Sequence, residues 1–131
     1  MPDVLRKQVD MSFEEAVKRV HEALEAEEFS HLLTKGVHEI FKKKLGVENY
    51  TKTTFVLACA APLAKMALDV SLDVGLLMPC SFLVYEDEDK VYVAHVSIMK
   101  AAVILDLAPA DKMQPVIEET KKRIGKVWDR I

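Results

Sequence analysis

The sequence predicts an α+β fold in which helices pack on a mainly antiparallel sheet. Strands and helices are partly segregated along the chain: a strand and a helix come first, four strands with short inserted helices follow, and a long helix comes last. Two neighbouring apolar segments, residues 76–85 and 91–97, flank a short acidic turn and indicate a β-hairpin. At 131 residues the chain has the size of one domain, residues 1–131, with its own core.

Five segments have the alternating or continuously apolar character of β-strands. The first places Leu5 and Val9 on alternate positions, and the third is β-branched and apolar, as expected of a buried strand. Gly75 separates the fourth strand from the helix before it. The predicted strands span residues 4–9, 29–37, 51–60, 76–85 and 91–97.

Three helices have clear start signals or a sustained period. Ser12 and Glu15 have the S-x-x-E spacing of a capping box, which marks the start of the first helix. Pro62 suits the first turn of another helix, where its missing N–H costs nothing. The longest helix is predicted over residues 111–131, although Gly125 in its middle costs about 1 kcal/mol relative to alanine.

Two further helical segments are short. Residues 38–45 are predicted to form a basic helix with Leu45 among its inward-facing residues. Gly46 follows at the position where a left-handed C-terminal cap would be needed. Residues 98–107 are compatible with a short helix or with an irregular apolar link.

Composition and charge exclude several classes of protein. The formal net charge of −3 and the isoelectric point of about 5.8 argue against a nucleic-acid-binding protein, which needs a basic face. No apolar run approaches the roughly 20 residues of a membrane span. The first residues lack the apolar core of a signal peptide. We therefore expect a cytoplasmic protein with free thiols and no membrane partner.

The two cysteines are the most informative residues of the chain. Cys59 ends a predicted strand just before the helix that Pro62 opens, and a thiol near a helix N-terminus can have a lowered pKa. Cys80 follows Pro79, which indicates a strand start, an edge or a bulge. Neighbouring strands could bring the two thiols together, although burial as a small apolar side chain is the favoured explanation for each cysteine.

The remaining sequence does not identify a reaction. The four histidines do not have metal-ligand spacing with one another or with a cysteine, so neither a metal nor a cofactor is predicted. His95 alternates with Val91 and Val93 and is expected to be a satisfied or exposed histidine. No phosphate-binding glycine loop and no nucleophile or metalloprotease motif occurs, so catalysis is not expected.

Several segments together resemble one family. They are residues 11–17 (MSFEEAV), residues 41–46 (FKKKLG), Cys59 with the following Pro62-Leu63-Ala64, and residues 75–80 (GLLMPC). In this order and spacing the chain resembles the bacterial and archaeal family called domain of unknown function 302, from about residue 11 to residue 97. The resemblance implies a β-α-β(4)-α domain in the fold group of the TATA-box-binding protein, and it suggests a homodimer. The resemblance implies no activity. This chain retains the family's lysine, at position 44.

The chain departs from the family pattern at three polar positions. The family usually has an aspartate where this chain has Gly36, and an asparagine followed by proline where this chain has Ala60 and reaches Pro62 two residues later. It usually has an asparagine at the position of Ser81. If these polar groups form a site in the relatives, this member has lost much of it, because alanine can neither polarise a substrate nor position a water.

Two functional hypotheses follow. The first is a non-catalytic domain that binds a small molecule or a partner, because apolar pockets with few polar groups suit binding. The alternative is thiol chemistry at Cys59 and Cys80: redox sensing, sulfur transfer or the handling of a soft metal such as Cu(I). The residues of the candidate site are Cys59, Cys80, Pro62, Pro79, Ser81 and Lys44.

Overall fold

The structure, a computed structural model, describes residues 4–131 and has the predicted order of elements. The strands are β1 (Val4–Val9), β2 (Ser30–Gly36), β3 (Thr53–Cys59), β4 (Cys80–Asp87) and β5 (Lys90–Val96). The helices are α1 (Phe13–Ala26), α2 (Val37–Leu45), α3 (Ala61–Val70), α4 (Ile98–Ile104) and α5 (Ala110–Asp129), and a 3₁₀ helix spans Leu72–Leu77.

The five strands form one antiparallel sheet in the order β1-β5-β4-β3-β2. The α+β fold and the β-α-β(4)-α order are therefore confirmed. Strands β4 and β5 form the predicted hairpin, with Asp87 opposite Lys90 next to the turn. Strand β1 then joins the far side of β5, which leaves β1 and β2 as the edges of the sheet.

The hydrophobic core lies between one face of the sheet and the helices. Fully buried Phe82 on β4 packs in it with Leu24 of α1 and Val127 of α5. A second cluster, with Met99 and Met113 at its centre, fills the space between α3, α4 and α5. Burying a side chain of this size contributes about 1.5–3 kcal/mol, so these two clusters hold the helices to the sheet.

The other face of the sheet, here called the open face, carries no helix of the core. Side chains alternate between the two faces of a strand, so the register assigns its members. Four of them, Val4, Leu33, Phe55 and Val96, are 41–48% exposed. The open face consists of Val4, Arg6, Gln8, Ser30, Leu33, Lys35, Thr53, Phe55, Leu57, Cys59, Ser81, Leu83, Tyr85, Asp87, Lys90, Tyr92, Ala94 and Val96.

Local signals were confirmed at three helix ends. The Ser12 hydroxyl accepts a hydrogen bond from the Glu15 N–H, as the capping box predicts. Pro62 lies in the first turn of α3, and Gly46 closes α2 with a left-handed φ of 68°. Residues 98–104, ambiguous in sequence, form the short helix α4.

Two local predictions were wrong. The fourth strand starts at Cys80 and not at residue 76, because Leu72–Leu77 continue the chain as a 3₁₀ helix. Pro79 lies just before this strand, after a cis peptide bond with Met78. Leu45, expected to face inward, is 70% exposed because α2 extends past the edge of the core and contains no fully buried residue.

Replacing one buried leucine tests the assignment of the core. We expect Leu24→Ala to lower the free energy of unfolding by about 2–5 kcal/mol, because it removes a fully buried side chain and leaves a cavity. Leu72→Ala is the matched control, since Leu72 is 80% exposed and should change stability by less than about 0.5 kcal/mol. Urea denaturation measures both, and similar losses for the two variants would contradict the assignment.

Candidate functional site

Cys59 and Cys80 lie at the same end of the sheet. The register pairs Cys80 with Ala58, so Cys59 is the next residue along the neighbouring strand, and by alternation Cys59 belongs to the open face and Cys80 to the core face. Both cysteines line one narrow cleft of about 20 Å³, together with Ala60 and Pro79. A cleft of this size has room for about one water molecule. The cleft is therefore too small for an organic substrate.

The two thiols differ in their surroundings. Cys80 is buried and Cys59 is half-buried, and both are free. Burial, and to a lesser extent the nearby Cys59, raise the pKa of the Cys80 thiol to about 11. Because the thiolate is the reactive form, Cys80 behaves at neutral pH as a small apolar side chain of the second core cluster.

The other residues of the predicted site do not complete a reactive group there. Pro62 is exposed in the first turn of α3, and the Ser81 side chain lies on the open face. Lys44 lies elsewhere: its helix α2 follows Gly36, which pairs with Thr54, five residues before Cys59 on β3. Five residues of strand span roughly 17 Å, so Lys44 does not belong with the cysteines.

The three positions that depart from the family pattern are also separated. Gly36 lies at the start of α2, where an added side chain would press against His38 and Glu39. Ala60 lines the cysteine cleft at the other end of β3, and Ser81 pairs with Leu57. In this chain Gly36 therefore forms no common site with Ala60 and Ser81.

A larger cavity of about 270 Å³ lies between α5 and the β1–β5 edge of the sheet. Its walls are predominantly apolar, and Trp128 is the only tryptophan of the chain. Lys7 holds this indole in place: its ammonium donates to the Trp128 carbonyl oxygen at 2.8 Å and lies 4.8 Å from the ring centroid. The lining residues are Leu5, His95, Ser97, Lys100, Ile117, Thr120, Lys121, Ile124, Gly125, Trp128 and Asp129.

His95 is a buried polar group in the cavity wall. Its Nδ1 atom lies 2.9 Å from the carbonyl oxygen of Ser81, and its ring stacks on Phe82 with the centroids 4.4 Å apart. A carbonyl oxygen only accepts hydrogen bonds, so Nδ1 carries the proton. Desolvation lowers the pKa of His95, partly offset by the bond to Ser81, and this favours the neutral ring at neutral pH.

Thr120 adds an unpaired hydroxyl. Its residue is 5% exposed, and its Oγ1 atom has no hydrogen-bond partner within residues 4–131. A buried hydroxyl without a partner costs about 1–3 kcal/mol. Thr120 lines both the cavity and the cysteine cleft, so it separates the two spaces.

Gly125 explains why the cavity is open. A Cβ atom built on this glycine would meet nothing within 4 Å, and its φ does not require a glycine. Glycine in a helix interior lowers stability by about 1 kcal/mol relative to alanine. Neither a close approach of another segment nor the backbone conformation explains why position 125 is a glycine. The physical effect of the missing side chain is to leave volume beneath α5.

The prediction of a cysteine site missed this cavity. Its clearest sequence signal was Gly125 within an otherwise regular helix, which was recorded only as a cost. His95 was expected to be satisfied or exposed. The ring is satisfied at Nδ1 but buried.

The described residues contain neither a metal-binding group nor a membrane-spanning helix. Among the side chains of residues 4–131, no group of three or more histidine, cysteine, aspartate or glutamate residues could hold a metal ion. None of the helices in the same range combines the length and the apolarity that crossing a bilayer requires.

The pKa of Cys80 predicts how fast this thiol is alkylated. In a Cys59→Ser variant we expect iodoacetamide to modify Cys80 at pH 8 roughly 10- to 100-fold more slowly than a thiol with the ordinary pKa of 9.0, because burial, the larger cause of the raised pKa, remains. The rate should rise with each pH step up to pH 9.5 without a plateau, and urea should accelerate it. Cys80→Ser, which retains Cys59, is the comparison. A plateau of the Cys80 rate below pH 9 would contradict the assignment.

Comparisons with known proteins identify the family and the fold. A search of curated proteins finds no match. The crystal structure of an uncharacterized conserved protein DUF302 from Bacillus stearothermophilus is similar over 98% of this chain and 97% of its own, with a TM-score of 0.85 and 21% sequence identity. The model of the family "Domain of unknown function DUF302" matches residues 5–131. The chain therefore belongs to the DUF302 family.

Proposed function

We propose that this protein is a non-catalytic domain that binds a small apolar molecule in the cavity beneath α5. The observation that carries the proposal is Gly125, whose missing side chain keeps volume open in a helix that alanine would stabilise. Predominantly apolar walls with a few polar groups are typical of small-molecule sites. At about 270 Å³ the cavity suits a ligand smaller than a drug-sized molecule.

Thiol chemistry at Cys59 and Cys80 is the alternative function. The closeness of the two cysteines at one end of the sheet supports it. The raised pKa of Cys80 opposes it, because redox exchange, sulfur transfer and soft-metal binding all use the thiolate. Burial in the narrow cleft also leaves little access to the Cys80 sulfur. These observations favour the ligand-binding proposal.

The open face supports a second proposal, that the protein is a homodimer. Apart from Asp87 and Lys90 beside the hairpin turn, its three central strands contribute uncharged residues, and its other charged members, Arg6 and Lys35, belong to the outer strands. Depletion of charge from the centre is typical of protein interfaces. Five strands of about six residues cover a flat area of roughly 500 Å². Because side chains project from this plane, the accessible surface of the face is larger and approaches the roughly 800 Å² per partner of a stable interface.

Filling the cavity tests the ligand-binding proposal. We expect Gly125→Phe to place its ring in the open volume and to abolish every thermal shift that a metabolite library produces with the wild-type protein. Gly125→Ala should keep the fold and raise the free energy of unfolding by up to about 1 kcal/mol.

Lys112→Phe, at an exposed position of α5 outside the cavity, is the matched control and should retain the ligand response. Circular dichroism verifies that each variant is folded. A ligand whose thermal shift survives Gly125→Phe unchanged would place the binding site elsewhere and contradict the proposal.

A charge in the centre of the open face tests the dimer. We expect Leu83→Arg to convert the dimer to a monomer, because an isologous face-to-face contact would bring two copies of the new charge together in an apolar interface. Leu72→Arg, at an 80% exposed position in the 3₁₀ helix, should leave the dimer intact. Sedimentation velocity measures the mass, and a monomeric wild-type protein at high concentration would contradict the proposal.

A further inference from the structure

The polar groups of the cavity define the class of ligand. We infer that the cavity selects a neutral apolar molecule with one hydroxyl group, such as a small phenol, which donates a hydrogen bond to Nε2 of His95. This inference rests on the proposed function and specifies its ligand. It follows from the tautomer of His95, from the unpaired hydroxyl of Thr120 and from the predominantly apolar walls.

The tautomer of His95 leaves a bare acceptor. Because Nδ1 donates to the Ser81 carbonyl oxygen, Nε2 of the neutral ring has a lone pair and no proton. The two nitrogens lie on opposite sides of the ring, so Nε2 is directed away from β4 and towards the cavity that His95 lines. In the part of the chain that the structure describes, Nε2 has no hydrogen-bond partner.

The stacking of His95 on Phe82 fixes this acceptor. The planes of the two rings are 19° apart, and Phe82 is fully buried. Together with the bond from Nδ1 to β4, this stacking holds the imidazole at two points. The cavity therefore presents an acceptor whose position is set before any ligand binds, which reduces the entropy lost on binding.

The Thr120 hydroxyl supplies the complementary group. A hydroxyl rotates to donate or to accept, and Oγ1 of Thr120 has no partner among residues 4–131. We expect a ligand hydroxyl that donates to His95 Nε2 to accept from Thr120 as well, because both residues line the same cavity. Binding such a ligand would give the buried Thr120 hydroxyl a partner in a largely apolar wall.

The same groups disfavour charged ligands. A carboxylate only accepts hydrogen bonds, so its oxygen would face the lone pair of Nε2. Protonating His95 to bind it would oppose the desolvation that keeps the ring neutral. A ligand of either charge would also have to leave water for predominantly apolar walls, and burying a charge there is costly.

Three probes of similar shape test the inference: p-cresol, toluene and p-toluate. Trp128 lines the cavity and is the only tryptophan, so its fluorescence reports binding. We expect p-cresol to bind the wild-type protein about tenfold more tightly than toluene, and p-toluate to bind more weakly than either.

Two variants separate the hydroxyl contact from the cavity. His95→Phe keeps the stacked ring but removes the acceptor, so p-cresol and toluene should then bind with equal affinity. Thr120→Val keeps the shape of the side chain and should lower the affinity for p-cresol roughly threefold, while the affinity for toluene is unchanged. His31→Phe, which replaces an exposed histidine on β2, is the matched control and should retain the tenfold preference.

The outcomes distinguish this inference from the proposed function. If toluene binds the wild-type protein as tightly as p-cresol, hydroxyl recognition is refuted and ligand binding in the cavity remains. Tighter binding of p-toluate than of p-cresol refutes the inference in favour of an anion site. If none of the three binds, and Gly125→Phe changes no ligand response, both the inference and the proposed function are refuted.

Discussion

The constraint on which this structure depends is that a layer of helices must cover one face of a five-stranded sheet. Five strands are roughly 24 Å wide, whereas two helices packed side by side cover about 20 Å. The two long helices α1 and α5 bury the centre of the sheet, with Phe82, Leu24 and Val127 in the core. The remaining width lies at the β1–β5 edge, where α5 roofs the cavity.

His95 shows how the sheet sets the chemistry of that gap. Its place on β5 puts the ring opposite Phe82 of β4 and Leu5 of β1, and the Ser81 carbonyl fixes the proton on Nδ1. The neighbouring Ala94 and Val96 belong to the open face. Strand β5 therefore supplies the cavity with its hydrogen-bond acceptor and the proposed dimer interface with apolar surface. Because these side chains lie on opposite faces of the strand, a substitution on one face leaves the other face unchanged.

Much of the fold could be predicted from sequence because local patterns determine it. Hydrophobic periodicity, the Ser12 cap and Gly46 each act within a few residues, and each was confirmed. The start of β4 was misplaced because the largely apolar residues 72–77 are compatible with a strand as well as with the 3₁₀ helix that they form. Periodicity alone cannot distinguish such short segments.

The candidate site was harder to predict because it depends on contacts between distant segments. Spacing suggested that Cys59 and Cys80 could meet, but the pKa of Cys80 depends on burial that only the packing of α3 and α4 creates. Likewise, Gly125 has meaning only once β1 and β5 lie opposite it. The sequence shows that a glycine lies within a helix, but the cavity that this glycine lines becomes visible only in the folded structure.

Two costs in stability converge on one cavity, and this convergence is the strongest argument that the cavity has a function. Gly125 costs about 1 kcal/mol as a helix interior residue. The buried, unpaired hydroxyl of Thr120 costs about 1–3 kcal/mol. Alanine at position 125 and valine at position 120 would remove these costs with little change of shape. Features that lower stability and concentrate at one place are typical of binding sites, because a ligand restores there what the free protein lacks.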